Sequence, residues 1–142
     1  MIILPYNCSI MSIFEHYAAN IPLFFPSYKF IIELYDSFKD YGVLSELTWN
    51  QVLGMRSGSI LPTGMDDPND FENLKVMKKW INFADFYDSQ WMPHLIYFNS
   101  FEDLFNKLES TDLHEVSEKM RKFNCERENL IKHKWIRLLD NL

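Results

Sequence analysis

Residues 12–27 read SIFEHYAANIPLFFPS, and the fold turns on how that stretch is divided. Ile13, Phe14 and Tyr17, with Ile10 just upstream, recur at the spacing of one helical face. Asn20 then tolerates the left-handed backbone that ends a helix. The apolar run from Pro22 to Phe25, closed by Pro26, suits a buried strand at 22–25. Upstream, MIILPY is a second short apolar run ended by Pro5 and predicts a strand over 2–6. The helix between them would be capped by Ser9. Downstream, Ser27 is placed to cap a second helix, with Ile31, Leu34 and Phe38 turned inward and Gly42 at its end. The alternation of strand and helix argues for a parallel α/β sheet.

The same reading extends along the chain. Thr48 and Gln51 have capping-box spacing for a short helix, and RSGSILPTGMDDPND, with its turn signals, reads as a loop. Asp70 can cap a helix carrying Phe71, Leu74, Met77, Trp80 and Ile81. HLIYF is a third strand at 94–98, after an irregular ADFYDSQWMP. Ser100 and Asp103 cap the helix FEDLFNKLE; Asp112 and Glu115 cap a long last helix. Its apolar side carries Val116, Met120, Phe123, Leu130, Trp135 and Leu138. The expected fold is therefore α/β, with about three parallel strands (2–6, 22–25, 94–98), flanking helices and a long C-terminal helix. No linker divides the chain, so 1–142 is read as a single domain.

Composition narrows the function. At 142 residues and 47 % hydrophobic, the chain can bury a core. A net charge of −6, with no basic run longer than Lys132-His133-Lys134, speaks against a nucleic-acid partner. Cys8 and Cys125 have no metal-type spacing and read as free thiols of a reducing compartment, with a single disulfide as the alternative. His16, His94, His114 and His133 form no zinc pattern. No apolar run reaches the ~20 residues that span a bilayer, and MIILPYN lacks a basic leader, so a soluble cytoplasmic chain is expected.

On a helix starting near Ser9, Glu15 falls opposite Ile13 and Tyr17, beside Met11, Ser12 and Ala19. A helix start after a strand is where free amides attract phosphate, and open α/β sheets gather ligands at that edge. Glu15, followed by HYAANIPL, resembles the donor-site motif of nucleotide-sugar glycosyltransferases with two Rossmann-like domains, the GT-B fold. In that motif two acids are separated by seven residues, and the second leads Glu-Ala-x-Ala-x-Gly-x-Pro-Val. Ala18 falls on the second Ala, Asn20 on the Gly, Pro22 on the Pro and Leu23 on the Val. Asn7 stands where the family has its first acid, so a sugar contact there would come from an amide. His16 and Tyr17 are bulkier than the family pattern. NSFEDLFNKLE and the long last helix are similar to the family's tail. The resemblance touches both ends of the chain and leaves the middle unmatched.

The resemblance implies a partial Rossmann-like, donor-binding part of such an enzyme. Amides around Cys8, Ser9 and Ile10 would hold the donor diphosphate. Glu15, with Ser12 beside it, would meet the ribose hydroxyls, and Asn7 would face the sugar. The scheme calls for no cofactor and no metal. The acceptor half and its catalytic base are missing, so the chain is expected to be a fragment or subunit, inactive alone, that meets a separate chain carrying the N-terminal half. The alternative is a small non-catalytic α/β interaction or regulatory domain with Glu15 as plain surface. A hydrolase built on Cys8 or Ser9 is disfavoured because YNCSI has none of the small residues of a nucleophile elbow.

Overall fold

A computed structural model describes residues 1–6, 10–37 and 73–141 of the chain. The described elements are α1 (Met11–Ala18), β1 (Phe24–Pro26), α2 (Tyr28–Ser37), α3 (Leu74–Ile81), a 3₁₀ turn at Asp85–Tyr87, β2 (Ile96–Phe98), α4 (Phe101–Ser110) and α5 (Leu113–Leu139). The class is α/β, largely helical, around a two-stranded parallel sheet. Phe24, Phe25 and Pro26 of β1 pair in register with Ile96, Tyr97 and Phe98 of β2.

The expected strand 2–6 is reduced to one parallel bridge, Ile2 to Phe24. Phe24 N donates to Met1 O (2.8 Å), and Ile3 N donates to Phe24 O (2.9 Å). The next rung of a parallel ladder would need the amides of Pro26 and Pro5. Neither proline has an N–H, so the ladder stops. Pro26 does no harm on the opposite side, where Ser27 N donates to Phe98 O at 2.7 Å. The strand expected at 94–98 likewise begins two residues late. His94 sits at φ 68, outside the extended region, and pairing starts at Ile96. The strand expected at 22–25 is found at 24–26.

Alternation along β1 sends its rings to opposite faces. Phe25 enters a core of Ile10, Ile13, Tyr17, Phe86, Met92 and Met120, supplied by α1, the 3₁₀ turn and α5. Phe24 packs with Phe98 and Leu104, against half-buried Phe30 of α2. Helices thus cover both faces, which is why this strand reads as a continuous apolar run. A third cluster, Ile31, Tyr35, Met77 and Ile81, joins α2 to α3.

Caps set most helix starts. Ser27 Oγ accepts from Phe30 N, Ser100 Oγ from Asp103 N, and Asp112 Oδ1 from Glu115 N. Two expected caps are corrected. Asn73, three residues beyond Asp70, caps α3 by accepting from Lys75 N. The N-cap of α1 is Ile10, one residue after Ser9. Trp80, read as inward, is exposed, because Val76 takes the third inward place beside Met77 and Ile81. Leu130, Trp135 and Leu138 of α5 are exposed too, since the core reaches only as far as Met120 and half-buried Phe123. Phe38, Gly42, the Thr48–Gln51 helix, the loop after it and Asp70 lie outside the described residues.

The two ring environments make a stability test. Phe25 is 0 % exposed and Phe105, on α4, is 66 % exposed. Phe25→Ala should cost about 3–5 kcal/mol in urea denaturation. Phe105→Ala should stay within about 0.5 kcal/mol of the parent. Equal losses would contradict this core.

Candidate functional site

The carboxyl ends of the parallel segments share one direction, so the stretch before α1, the turn at Ser27 and the turn at Asn99–Ser100 all follow strand ends. The turn into α4 is closed by its own side chains. Asp103 Oδ2 accepts from Asn99 N (2.8 Å) and from Lys107 Nζ (2.9 Å), while Lys107 Nζ also donates to Tyr97 O. The Lys107 ammonium, then the Asn99 amide, hold the Asp103 carboxyl below its usual range. At that helix start the chain's own carboxylate and hydroxyl take the Asn99 and Asp103 amides.

The start of α1 differs. Its N-cap, Ile10, is extended (φ −123°, ψ 109°), buried, and carries no side-chain acceptor. Ile10 O accepts from Ile13 N at 3.1 Å, while the first-turn amides receive no cap from the Ile10 side chain. Each of the other described helices has a capping side chain, from Ser27, Asn73, Ser100 or Asp112.

The far end of α1 is fixed tightly. Asn20 stands at φ 59. Asn20 N donates to Tyr17 O and Ile21 N to His16 O, the paired bonds of a Schellman ending. Helix α5 reads that ending. Asn124 Nδ2 donates to Tyr17 O (3.0 Å) and to Asn20 Oδ1 (2.8 Å), and Ser117 Oγ donates to Asn20 O (2.8 Å). The Arg127 guanidinium lies 5.8 Å from the Tyr17 ring and 5.6 Å from the Phe123 ring. Tyr17, bulkier than the motif asks, is thus the anchor that holds α1 to the core.

Of the residues expected at the site, Ile10, Ser12 and Glu15 are described. Ile10 is buried at the helix start; Ser12 and Glu15 are exposed on the outer side of α1, with Met11 and Ala19. Ser12 O accepts from His16 Nδ1, one turn along. Asn7, Cys8 and Ser9 lie outside the described residues. Cys125 is an exposed free thiol on α5. Among the described residues no cluster of His, Cys, Asp or Glu is placed to hold a metal ion, and no helix is long and apolar enough to cross a membrane.

Sequence reasoning missed one hollow. A cavity of about 480 Å³ opens beside the end of β1, lined by Ser27, Tyr28, Asn82, Tyr87, Ser89 and Tyr97. Its rings brace one another: Tyr87 stacks on Tyr97 (5.8 Å, 23°) and meets Tyr28 edge-on. All three hydroxyls are committed to backbone, Tyr87 to Pro26 O (2.8 Å), Tyr97 to Phe86 O (2.6 Å) and Tyr28 to Lys78 O (3.5 Å). Glu15 does not line it. Three tyrosines spread over 70 residues of sequence leave no local pattern, so nothing short of the fold would have gathered them. Compared with known protein families, curated proteins and solved structures, the chain matches none.

Two partly buried hydroxyls give this part of the fold a pH signature. Tyr17 OH donates to Pro93 O at 2.8 Å, and Tyr97 OH to Phe86 O. Burial pushes both phenols up to about 12. The folded chain therefore holds these protons more tightly than the unfolded chain, whose phenols titrate near 10. The stabilisation is complete below pH 10 and is lost as pH rises through 12. The urea midpoint of the parent should fall across that window. A Tyr17→Phe/Tyr97→Phe variant, compared with its own midpoint at neutral pH, should fall less; parallel curves would contradict the assignment.

Proposed function

We propose that this chain is a nucleotide-sugar donor-binding module of a glycosyltransferase, with a partial Rossmann-like fold of the GT-B kind. The observation that carries the reading is the start of α1: it follows a segment running parallel to β1, its N-cap supplies no side-chain acceptor, and it bears the Glu15-to-Leu23 motif. In this reading the amides around Cys8, Ser9 and Ile10 hold the donor diphosphate, aided by the positive end of the helix. Glu15, with Ser12 beside it, accepts from the ribose hydroxyls across the exposed side of α1. Asn7 faces the transferred sugar. Stabilising the departing diphosphate is the chemical contribution such a module makes. In this reading the acceptor and the base that activates it come from the other half of such an enzyme, and the reaction proceeds in the cytoplasm without metal or cofactor.

A second reading, a non-catalytic α/β interaction or regulatory domain, is favoured by the exposure of Glu15, which that reading requires. Calorimetric titration separates the two. The parent should bind a UDP- or GDP-sugar, and Glu15→Ala should weaken that binding about tenfold, the scale of one lost hydrogen bond to a charged group. Equal binding by variant and parent removes Glu15 from the site. No binding of any nucleotide sugar leaves the interaction domain. The isolated chain should show no sugar transfer; turnover by the pure chain would contradict its role as a module.

A further inference from the structure

The cavity at the end of β1 is assembled from widely separated parts of the chain. Ser27 and Tyr28 stand at the start of α2, Asn82 ends α3, Tyr87 and Ser89 belong to the 3₁₀ turn and the residues after it, and Tyr97 lies in β2. The tyrosine hydroxyls are held by the carbonyls of Lys78, Pro26 and Phe86, and the rings brace one another. The apolar wall is thus set before anything enters. The polar groups of the lining are differently placed. Asn82 and Ser89 make no side-chain hydrogen bond among the described residues, and Ser27 Oγ accepts from Phe30 N while its own proton meets no partner there. Among the described residues no charged side chain lines the hollow. The nearby charge is negative: after burial, the Asp88 carboxylate adds to the upward push on the Tyr97 phenol.

We propose that this cavity binds a neutral nucleobase, free or as its nucleoside. Ligands of open parallel sheets gather beyond the carboxyl ends of the strands, and Ser27 directly follows β1. The volume of about 480 Å³ lies inside the ~300–1,000 Å³ of small-molecule pockets. A nucleobase has two flat apolar faces for contact with the tyrosine rings, and a short edge of donors and acceptors. The Asn82 amide offers a donor and an acceptor side by side, as a base edge requires. The Ser27 and Ser89 hydroxyls can serve the remaining edge atoms. A sugar fits less well. A pyranose carries hydroxyls around its ring, and those turned to the tyrosines would lose water without gaining a partner. An anion fits worse still, because the lining has no cation to pair with it and Asp88 would repel it. Ile10, Ser12 and Glu15 do not line the cavity, so it stands apart from the diphosphate site proposed at α1.

Titration of the full chain with adenosine, guanosine, cytidine and uridine, read by calorimetry and by amide NMR, tests this. At least one nucleoside should bind, shifting the signals of Ser27, Asn82 and Ser89 and leaving those of α1 in place. Asn82→Ala, at an exposed position, should weaken that binding about fivefold, the scale of one hydrogen bond. Tyr28→Leu should weaken it about tenfold, and Tyr28→Phe, which keeps the ring, should stay within about twofold of the parent. The urea midpoint of each variant reports whether its fold is intact; if Tyr28→Leu unfolds, Asn82→Ala and Tyr28→Phe still decide. The 5′-monophosphate of the bound nucleoside should bind no tighter than the nucleoside. Absence of binding by all of them overturns the proposal. So do equal binding by parent, Asn82→Ala and Tyr28→Leu, shifts confined to α1, tighter binding of the monophosphate, or binding of methyl glucoside in place of a nucleoside. Nucleosides carry no diphosphate, so failure here leaves the α1 reading standing, and a failure of nucleotide-sugar binding through Glu15 leaves this one.

Discussion

Strand β1 has hydrogen-bonding neighbours on both sides and apolar cover on both faces, and the other described elements take their places from it. Phe24 spends its amide and carbonyl on the Met1–Ile3 segment. On the other side, Leu23 O accepts from Ile96 N (2.9 Å) and Ser27 N donates to Phe98 O, closing the pairing with β2. Phe25 points into the α1 and α5 core, Phe24 into the α2 and α4 core. A residue with polar groups paired and its ring buried satisfies both conditions that a dry interior imposes. Prolines 5 and 26 then fix how far the sheet can go. They stop the first segment after one bridge and release it toward α1.

Helix α1 is held by contacts at both of its ends. The helix is short and takes its hold from both ends of the chain: Ile10 and Ile13 pack beside Phe25, and Tyr17 and Asn20 are gripped by α5. The consequence is a helix whose C-terminal end is closed by the Schellman bonds and the Asn124 clasp, and whose N-terminal end has no side-chain cap from Ile10. On the exposed side of α1 stand Ser12 and Glu15.

Local signals were readable from the residues alone. Ser27, Ser100 and Asp112 cap where a hydroxyl or carboxylate meets an amide three residues on, a distance set within the segment itself. Asn20 was legible as a left-handed ending, and Glu15 as an outward residue, for the same reason. What required the fold were pairings over long separations. Whether the segment 2–6 forms a strand depends on which sides of the prolines face the partner, and that is decided by register. Asn124 and Ser117, which hold Asn20 across about a hundred residues, carry no mark of it in sequence. Asp70 and Asn73 are both cap formers, and the choice between them falls to where α3 packs on α2. The end of α5 misled for a related reason: helical periodicity shows that Trp135 and Leu138 share a face, and cannot show that the core ends before them. At the candidate site, the outer side of α1 was legible; the tyrosine cavity was not.

Native-state hydrogen exchange read by NMR tests the central place of β1 most directly. The amides of Phe24, Ser27 and Ile96, each donating across the sheet, should be among the slowest in the described chain and should exchange only with global unfolding. Amides between Glu128 and Leu139, in a helix exposed on all sides, should exchange faster by orders of magnitude. If the amides of Phe24, Ser27 and Ile96 exchange as fast as those at the end of α5, β1 does not organise this structure.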